Sequence, residues 1–134
     1  MKAALCKSLE GPSALVIDDL AVSQPGPGEI LIDVKAAALN YFDTLITRGK
    51  YQSKPDLPFS PSAEIAGTVA ALGPGVTGLT VGERVAAYIG WGGAREKVIA
   101  KAEAVIPIPD GVSDVVAAGV SVTYGTAIHR LKDR

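Results

Sequence analysis

The sequence predicts a mainly β fold, a small and partly open β-barrel with short helices and a helical segment at its C-terminal end. Residues 63–87 contain two apolar runs separated by a turn rich in glycine and proline, a pattern typical of two neighbouring strands. Residues 30–39 alternate between apolar and polar side chains, which indicates a third strand. From residue 113 to residue 132, apolar side chains recur at helical spacing, so this part of the chain is predicted to be helical.

The length and composition place the chain among ordinary globular proteins. Its 134 residues suit a single domain, and 48% of them are hydrophobic while 20% are charged. The formal net charge of −1 offers nothing that would recruit nucleic acid or an anionic membrane. No apolar run is long enough to span a bilayer, and the first residues lack the apolar region and cleavage site of a signal peptide. We therefore expect a cytoplasmic protein with no nucleic-acid or membrane partner.

The turn within residues 63–87 has the spacing of a dinucleotide-binding loop but not its context. Gly73, Gly75 and Gly78 spell G-x-G-x-x-G, a motif that binds a pyrophosphate only where a helix begins directly after it. Residues 79–85 are rich in β-forming side chains and have no helical period. The sequence therefore predicts a turn between two strands and no nucleotide-binding loop at this position.

The first half of the chain is predicted to contain three strands and one short helix. Asn40 is a suitable N-cap for the helix, Asp43 in its first turn suits the helix dipole, and Gly49 is a suitable C-terminal stop. Cys6 is the only cysteine, which excludes an intrachain disulfide, and its place in an apolar strand favours a packed thiol over a reactive one. The three strands are expected at residues 1–7, 14–22 and 30–39.

The second half of the chain is predicted to contain a polar loop, further strands and the terminal helix. Residues 52–61 are rich in proline and polar side chains, which indicates a surface loop, and residues 94–100 are predicted to form a strand. Two prolines keep residues 105–111 extended. Ser113 is the expected N-cap of the terminal helix, and Gly119 and Gly125 permit a kink in it.

Motifs along nearly the whole chain resemble the medium-chain dehydrogenase/reductase superfamily. They read PGPGEILI from residue 25, NYFDTLITRGKY from residue 40, GPGV from residue 73, GERV from residue 82 and PIPDGVS from residue 107. The resemblance implies that residues 1–112 form a GroES-like catalytic domain that lacks its C-terminal return strands. Residues 113–134 would begin the helical linker to a nucleotide-binding domain. The chain would then be an N-terminal piece of an enzyme of more than twice its length.

The same resemblance points to the zinc-free quinone oxidoreductase branch of the superfamily. Zinc enzymes of this superfamily have a cysteine ligand at the position of Asn40 and a histidine ligand at the position of Ala63. A catalytic zinc needs three protein ligands, so these replacements imply that there is no metal site. The implied activity is transfer of hydride from NADPH to a quinone or a similar conjugated carbonyl compound. The chain alone is expected to be inactive and to bind NADPH weakly or not at all.

Two other functions stay open at this point. A 2-alkenal or enoyl thioester reductase of the same superfamily is compatible with Tyr51, which ends the run TRGKY and by the resemblance matches a tyrosine that the enoyl reductases use as a proton donor. A non-catalytic GroES-like binding or assembly module belongs to another class. Whether a nucleotide-binding domain follows in the complete protein distinguishes that module from the two enzymes.

The resemblance also implies a set of site residues. Tyr51 is the candidate catalytic group, because a phenol can donate a proton as hydride arrives. Trp91 either borders the substrate pocket or only packs. The other candidates are Asn40, Phe42, Thr126 and His129 for the cofactor and Tyr41 for the substrate pocket.

Two acidic residues and the terminal helix complete the expectations. Asp43 and Glu64 are expected to be structural, with partners in Arg84 or in backbone amides. The helix of residues 113–132 carries more apolar side chains than one face of a barrel can cover. We therefore expect a homo-oligomer that forms through this helix.

Overall fold

The computed structural model describes residues 1–132 and contains seven strands and three α-helices within that range. Short 3₁₀ turns lie at Pro12–Ala14 and Ala102–Ala104. The strands are β1 (Lys2–Leu5), β2 (Val16–Asp19), β3 (Glu29–Ala38), β4 (Glu64–Leu72), β5 (Arg84–Tyr88), β6 (Lys97–Lys101) and β7 (Val105–Pro107). The helices are α1 (Tyr41–Ile46), α2 (Asp114–Ala118) and α3 (Val120–Lys132).

The strands form two antiparallel sheets that do not close into a complete barrel. Five strands pair in the order β6-β3-β4-β5-β7, and β1 pairs with β2. Isolated bridges from Ala3 to Arg95 and from Cys6 to Phe59 join the smaller sheet to the rest of the molecule. The prediction of a mainly β, partly open barrel with short helices is confirmed.

The strand pair predicted within residues 63–87 is at the centre of the larger sheet. β4 and β5 pair in antiparallel register, with Glu64 opposite Tyr88 and Thr68 opposite Arg84. The turn between them uses positive φ angles at Gly75, Gly78 and Gly82, and β5 follows it without an intervening helix. The G-x-G-x-x-G spacing therefore belongs to a β-turn region, as the sequence predicted.

The main core lies against one face of the larger sheet. Ile30 and Ile32 alternate along β3 and are fully buried, which explains the alternating pattern of this strand. Complete burial of a branched aliphatic side chain contributes about 1.5–3 kcal/mol. The other large aliphatic members of this cluster are Ile65, Val69, Val85 and Val98.

Two predicted segments differ from the structure. The second strand covers only Val16–Asp19, because its predicted first residue belongs to the 3₁₀ turn that Pro12 begins and because its partner β1 pairs with it only from Lys2 to Leu5. The terminal helix is divided at Gly119 into α2 and α3, whereas Gly125 does not interrupt α3. The two helices differ in environment, because α2 buries two alanines against the sheet and α3 buries no side chain among its described residues.

The predictions for Cys6 and for membrane segments can also be compared with the structure. Cys6 is buried beside Ile46 and Phe59, and burial raises the pKa of its thiol, as expected for a packed cysteine. In residues 1–132 no helix has the length and apolar character that crossing a membrane requires.

Gly67 lies on β4 where the backbone of β3 approaches closely. The register between these strands shifts between Val34 and Ala36, which indicates a β-bulge opposite Gly67. A Cβ atom on Gly67 would lie only 2.1 Å from the backbone carbonyl oxygen of Asp33. No side chain can be accommodated there without a shift of the backbone.

We expect Gly67→Ala to lower the free energy of unfolding by about 1–3 kcal/mol, the usual cost of forcing extra volume into a packed interior. Gly125→Ala is the matched control, because no atom lies within 4 Å of its added Cβ. In a helix this control should be neutral or stabilising, by up to about 1 kcal/mol. Urea unfolding measures the free energy of unfolding of both variants. Equal values for Gly67→Ala and Gly125→Ala would contradict the close approach of the backbone at Gly67.

Candidate functional site

A cleft of about 600 Å³ separates the aromatic residues of α1 and its following loop from one side of α3. This volume is within the range of small-molecule sites. One wall is aromatic, and the opposite wall presents hydroxyl, imidazole and guanidinium groups. The lining residues are Phe42, Tyr51, Tyr88, Ser121, Val122, Gly125, Thr126, His129 and Arg130.

The aromatic wall is formed by two rings in contact. The ring centroids of Phe42 and Tyr51 are 5.3 Å apart, with an angle of 32° between the planes. Separations in this range are favourable for aromatic pairs. Tyr51 also packs against the buried cluster of Cys6, Ile46 and Phe59, so its ring is supported from behind.

The buried carboxylate of Asp43 holds the start of α1 in place. Its Oδ2 accepts a hydrogen bond of 2.8 Å from the backbone N–H of Asn40, and its Oδ1 accepts one of 2.7 Å from the backbone N–H of Ser62. Ser62 has a φ of 76°, which is unusual for a residue other than glycine. Asp43 thus connects the helix that carries Phe42 to the loop before β4. Its predicted structural role with backbone amides is confirmed.

The carboxylate of Glu64 connects both walls of the cleft. Glu64 is 1% exposed, and its Oε1 accepts a hydrogen bond of 2.9 Å from Asn40 Nδ2. Its Oε2 accepts a hydrogen bond of 2.9 Å from the backbone N–H of Val122. The first N–H groups of a helix lack partners within the helix, and a negative charge is favourable there. Glu64 therefore positions the N-terminal turn of α3 relative to the loop that begins α1.

Arg84 is not a partner of Glu64, contrary to one of the two alternatives that the sequence left open. Arg84 donates to Asp114 Oδ1 from Nε at 3.1 Å and from Nη2 at 2.8 Å, and thereby holds the start of α2. The register explains the difference, because Arg84 pairs with Thr68 while Glu64 pairs with Tyr88. Four residues of strand separate two such positions by about 13 Å.

The structure brings four of the predicted site residues to the cleft and leaves three outside its lining. Asn40 lies beside the cleft, where its amide is bonded to Glu64. Tyr41 is 78% exposed and does not line the cleft. Trp91 lines a different cleft, beside Arg95. The four residues in the cleft are Phe42, Tyr51, Thr126 and His129.

Sequence reasoning missed several residues of the cleft. Tyr88 ends β5, and its position follows only from its pairing with Glu64 across the sheet. Ser121 and Arg130 lie on α3, and their direction depends on the break at Gly119. The position of Arg130 four residues after Thr126 was an available signal, because residues three or four apart share a helix face.

The site contains no recognisable set of metal ligands. Within residues 1–132 no three His, Cys, Asp or Glu side chains are grouped so that they could hold a metal ion. Ala63, which by the resemblance replaces the histidine ligand of the zinc enzymes, is completely buried. Cys6 lies in a separate buried cluster with Ile46 and Phe59.

Comparison with known proteins gives a consistent family and fold. The Alcohol dehydrogenase GroES-like domain family matches residues 26–110. The chain is 38% identical over 127 residues to quinone oxidoreductase-like protein 2 of Rattus norvegicus, an alignment that covers 95% of this chain and 36% of that protein. The chain therefore spans about a third of the length of that relative.

Two solved structures extend the comparison. A mycobacterial protein in complex with NADPH superposes with a TM-score of 0.90 at 37% identity, and the match covers 98% of this chain and 41% of that chain. The quinone oxidoreductase of Thermus thermophilus, also described in complex with NADPH, superposes with a TM-score of 0.80 at 34% identity. That match covers 100% of this chain and 42% of the other.

We expect Glu64→Gln to lower the free energy of unfolding by about 1–3 kcal/mol. Each oxygen of the carboxylate accepts a hydrogen bond from an N–H donor, whereas the NH₂ group of glutamine cannot accept one, so one of the two donors loses its partner. Hydrogen exchange should accelerate at the N-terminal amides of α3 in particular. Glu103→Gln, an exposed carboxylate, is the matched control and should change neither quantity. Equal effects of the two substitutions would show that Glu64 does not hold α3.

Proposed function

Because the chain belongs to the Alcohol dehydrogenase GroES-like domain family, we propose that it supplies the substrate-side wall of a zinc-independent, NADPH-dependent oxidoreductase that reduces quinones or similar conjugated carbonyl compounds. The observation that carries this proposal is the cleft itself, in which an aromatic pair faces the hydroxyl-bearing side of α3. The similarity to a quinone oxidoreductase-like protein supports the reaction class. The NADPH complexes of two structural relatives support the cofactor.

The residues of the cleft fit the nicotinamide end of such a cofactor. A planar ring with a carboxamide group requires an aromatic or apolar surface and a few polar groups at its edge. Phe42 provides the surface, and Thr126 and Ser121 provide the hydroxyl groups. When bound, NADPH supplies hydride. The chain's own contribution is to orient the ring and to exclude water from one side of it.

Asn40 and His129 have supporting places in this proposal. The amide of Asn40 is held by Glu64 and keeps the loop before Phe42 in a fixed position. His129 lines the cleft one helical turn beyond Thr126 and would contact the cofactor from the outer end of the cleft. Tyr41 and Trp91 have no part in it, since neither of them lines this cleft.

Tyr51 is the candidate proton donor. Its ring lines the cleft and is held by Phe42 and by the buried cluster behind it. A positioned phenol can transfer a proton to the carbon or oxygen that becomes basic as hydride is added. A quinone needs this help less than an enal does, because a hydroquinone anion takes its protons from water. The position of Tyr51 in the cleft thus favours a 2-alkenal or enoyl thioester as the alternative acceptor.

We expect Tyr51→Phe to separate the two acceptor classes in a protein that carries this chain together with its nucleotide-binding domain. If Tyr51 donates the proton, kcat for an enal should fall by about two or more orders of magnitude, the usual contribution of a general acid. The rate with a quinone should change much less.

Tyr41→Phe is the matched control, because Tyr41 is exposed and lies outside the cleft, and it should leave both rates unchanged. Small and equal effects of Tyr51→Phe on both acceptors would assign Tyr51 to packing alone.

We expect the 134-residue chain alone to bind NADPH several thousandfold more weakly than the complete protein, which corresponds to the loss of about 5 kcal/mol of cofactor contacts. The physical reason is that the G-x-G-x-x-G turn leads into β5 and offers no helix N-terminus for the pyrophosphate. Calorimetry with NADPH measures this affinity, and micromolar binding to the isolated chain would contradict the proposal.

Elemental analysis of the same dialysed sample should give far less than one zinc per chain.

The homo-oligomer is also part of the proposal. Tyr124, Ile128 and Leu131 are exposed along α3, as expected for a helix whose apolar side chains contact another surface. A binding or assembly module without catalysis would use the same exposed helix. Failure of the complete protein to oxidise NADPH with either acceptor class would favour the module.

A further inference from the structure

A second cleft, of about 440 Å³, lies on another part of the molecule and shares no residue with the first. Most of its lining residues are aliphatic, and Trp91 forms part of the lining. Its lining contains two basic side chains, Arg95 and Lys97, and no aspartate or glutamate. The positive charge in this cleft is therefore not balanced by a carboxylate within the lining.

The two basic side chains differ in whether they form a salt bridge. Lys97 forms a salt bridge with Asp33, which lies outside the lining. Arg95 takes part in no salt bridge within residues 1–132, and its Nε is buried without any hydrogen-bond partner. The guanidinium lies over Gly92, where an added Cβ would be 3.3 Å from Nη2. Burial lowers the pKa of this guanidinium from its ordinary value.

Arg95 lines the cleft without an ion pair to any described residue, so its positive charge is open to an anionic partner. Nε is too deeply buried for a ligand to reach, so an anion in the cleft would bind the outer Nη nitrogens of the partly exposed side chain. A carboxylate matches the guanidinium because its two oxygens can accept two parallel N–H bonds. The aliphatic walls and Trp91 suit a partner with an apolar body attached to that carboxylate.

We propose that this second cleft binds a small organic carboxylate whose charged end pairs with Arg95 and whose apolar body lies against Trp91 and the aliphatic walls. The volume of the cleft is in the range of small-molecule sites, which are mainly apolar and contain a few fixed polar groups. An inorganic anion would satisfy Arg95 but would leave the aliphatic walls in contact with water. The site is independent of the proposed oxidoreductase cleft, and its test does not require enzymatic activity.

Octanoate is a suitable probe, and Trp91 is the reporter. Trp91 is the only tryptophan of the chain, so a change in tryptophan fluorescence reports on this cleft alone. We expect saturable binding of octanoate, binding of the uncharged 1-octanol that is at least about 10-fold weaker, and no comparable response to inorganic phosphate. Equal affinities for octanoate and octanol, or a response to phosphate as strong as that to octanoate, would overturn the proposal.

Arg95→Met tests the guanidinium directly. We expect it to weaken octanoate binding by about 10- to 100-fold, the effect of losing charge-assisted hydrogen bonds, while Arg95→Lys retains part of the affinity. Arg130→Met removes an arginine from the first cleft and should leave octanoate binding unchanged.

Thermal unfolding provides the second readout and shows whether each variant folds. Octanoate should raise the Tm of the unaltered chain and not that of Arg95→Met. In the absence of octanoate, Arg95→Met should not lower the Tm, because the buried Nε has no partner to lose. Unchanged octanoate affinity in Arg95→Met, or a large drop of its Tm without ligand, would show that Arg95 has a structural role instead.

Discussion

The carboxylate of Glu64 is the interaction on which the geometry of the cleft between Phe42 and Thr126 depends. One oxygen is bonded to the side chain of Asn40 and the other to the backbone of Val122, so a single buried group joins β4 to both walls. Nearly all described side chains of α3 are exposed, and apolar packing holds this helix only weakly. The charge-assisted hydrogen bond from the N–H of Val122 to Glu64 therefore fixes the orientation of α3, which packing alone does not fix.

The buried carboxylate of Asp43 positions the aromatic wall of the same cleft, as Glu64 positions α3. It satisfies the N–H groups of Asn40 and Ser62 and stabilises a backbone conformation at Ser62 that is rare outside glycine. Two buried carboxylates therefore meet at Asn40, one bonded to its backbone and one to its side chain. Buried charges are expensive unless every oxygen is satisfied, which makes them poor sources of net stability. Here they hold the elements that carry Phe42 and Thr126 at a defined separation.

The two clefts contrast in how they use charge. The first is built around carboxylates whose partners are within the chain, and its lining residues are oriented through them. The second contains the partly exposed guanidinium of Arg95, which forms no salt bridge in the described part of the chain, beside lining residues that are mostly aliphatic. A buried charge with partners in the chain organises its surroundings, whereas an unpaired charge in a cleft is open to a ligand. On this basis we assign a structural role to Glu64 and a binding role to Arg95.

Periodicity and local backbone chemistry were enough to predict most of the elements, although not the short second strand or the division of the terminal helix at Gly119. The alternation of Ile30 and Ile32 identified β3, Asn40 and Asp43 marked the start of α1, and the residues after Gly78 excluded a nucleotide-binding loop, because such patterns act over a few neighbouring residues. The family resemblance added Phe42, Tyr51, Thr126 and His129, which do meet in one cleft. Only the tertiary structure decided which groups pair across the fold. The register of β4 with β5 placed Tyr88 beside Glu64 and took Arg84 to Asp114, and the break at Gly119 turned Ser121 and Arg130 towards the cleft. These pairings depend on strand register and on the direction of a helix after a break, and both are set by contacts between residues that are distant in the sequence.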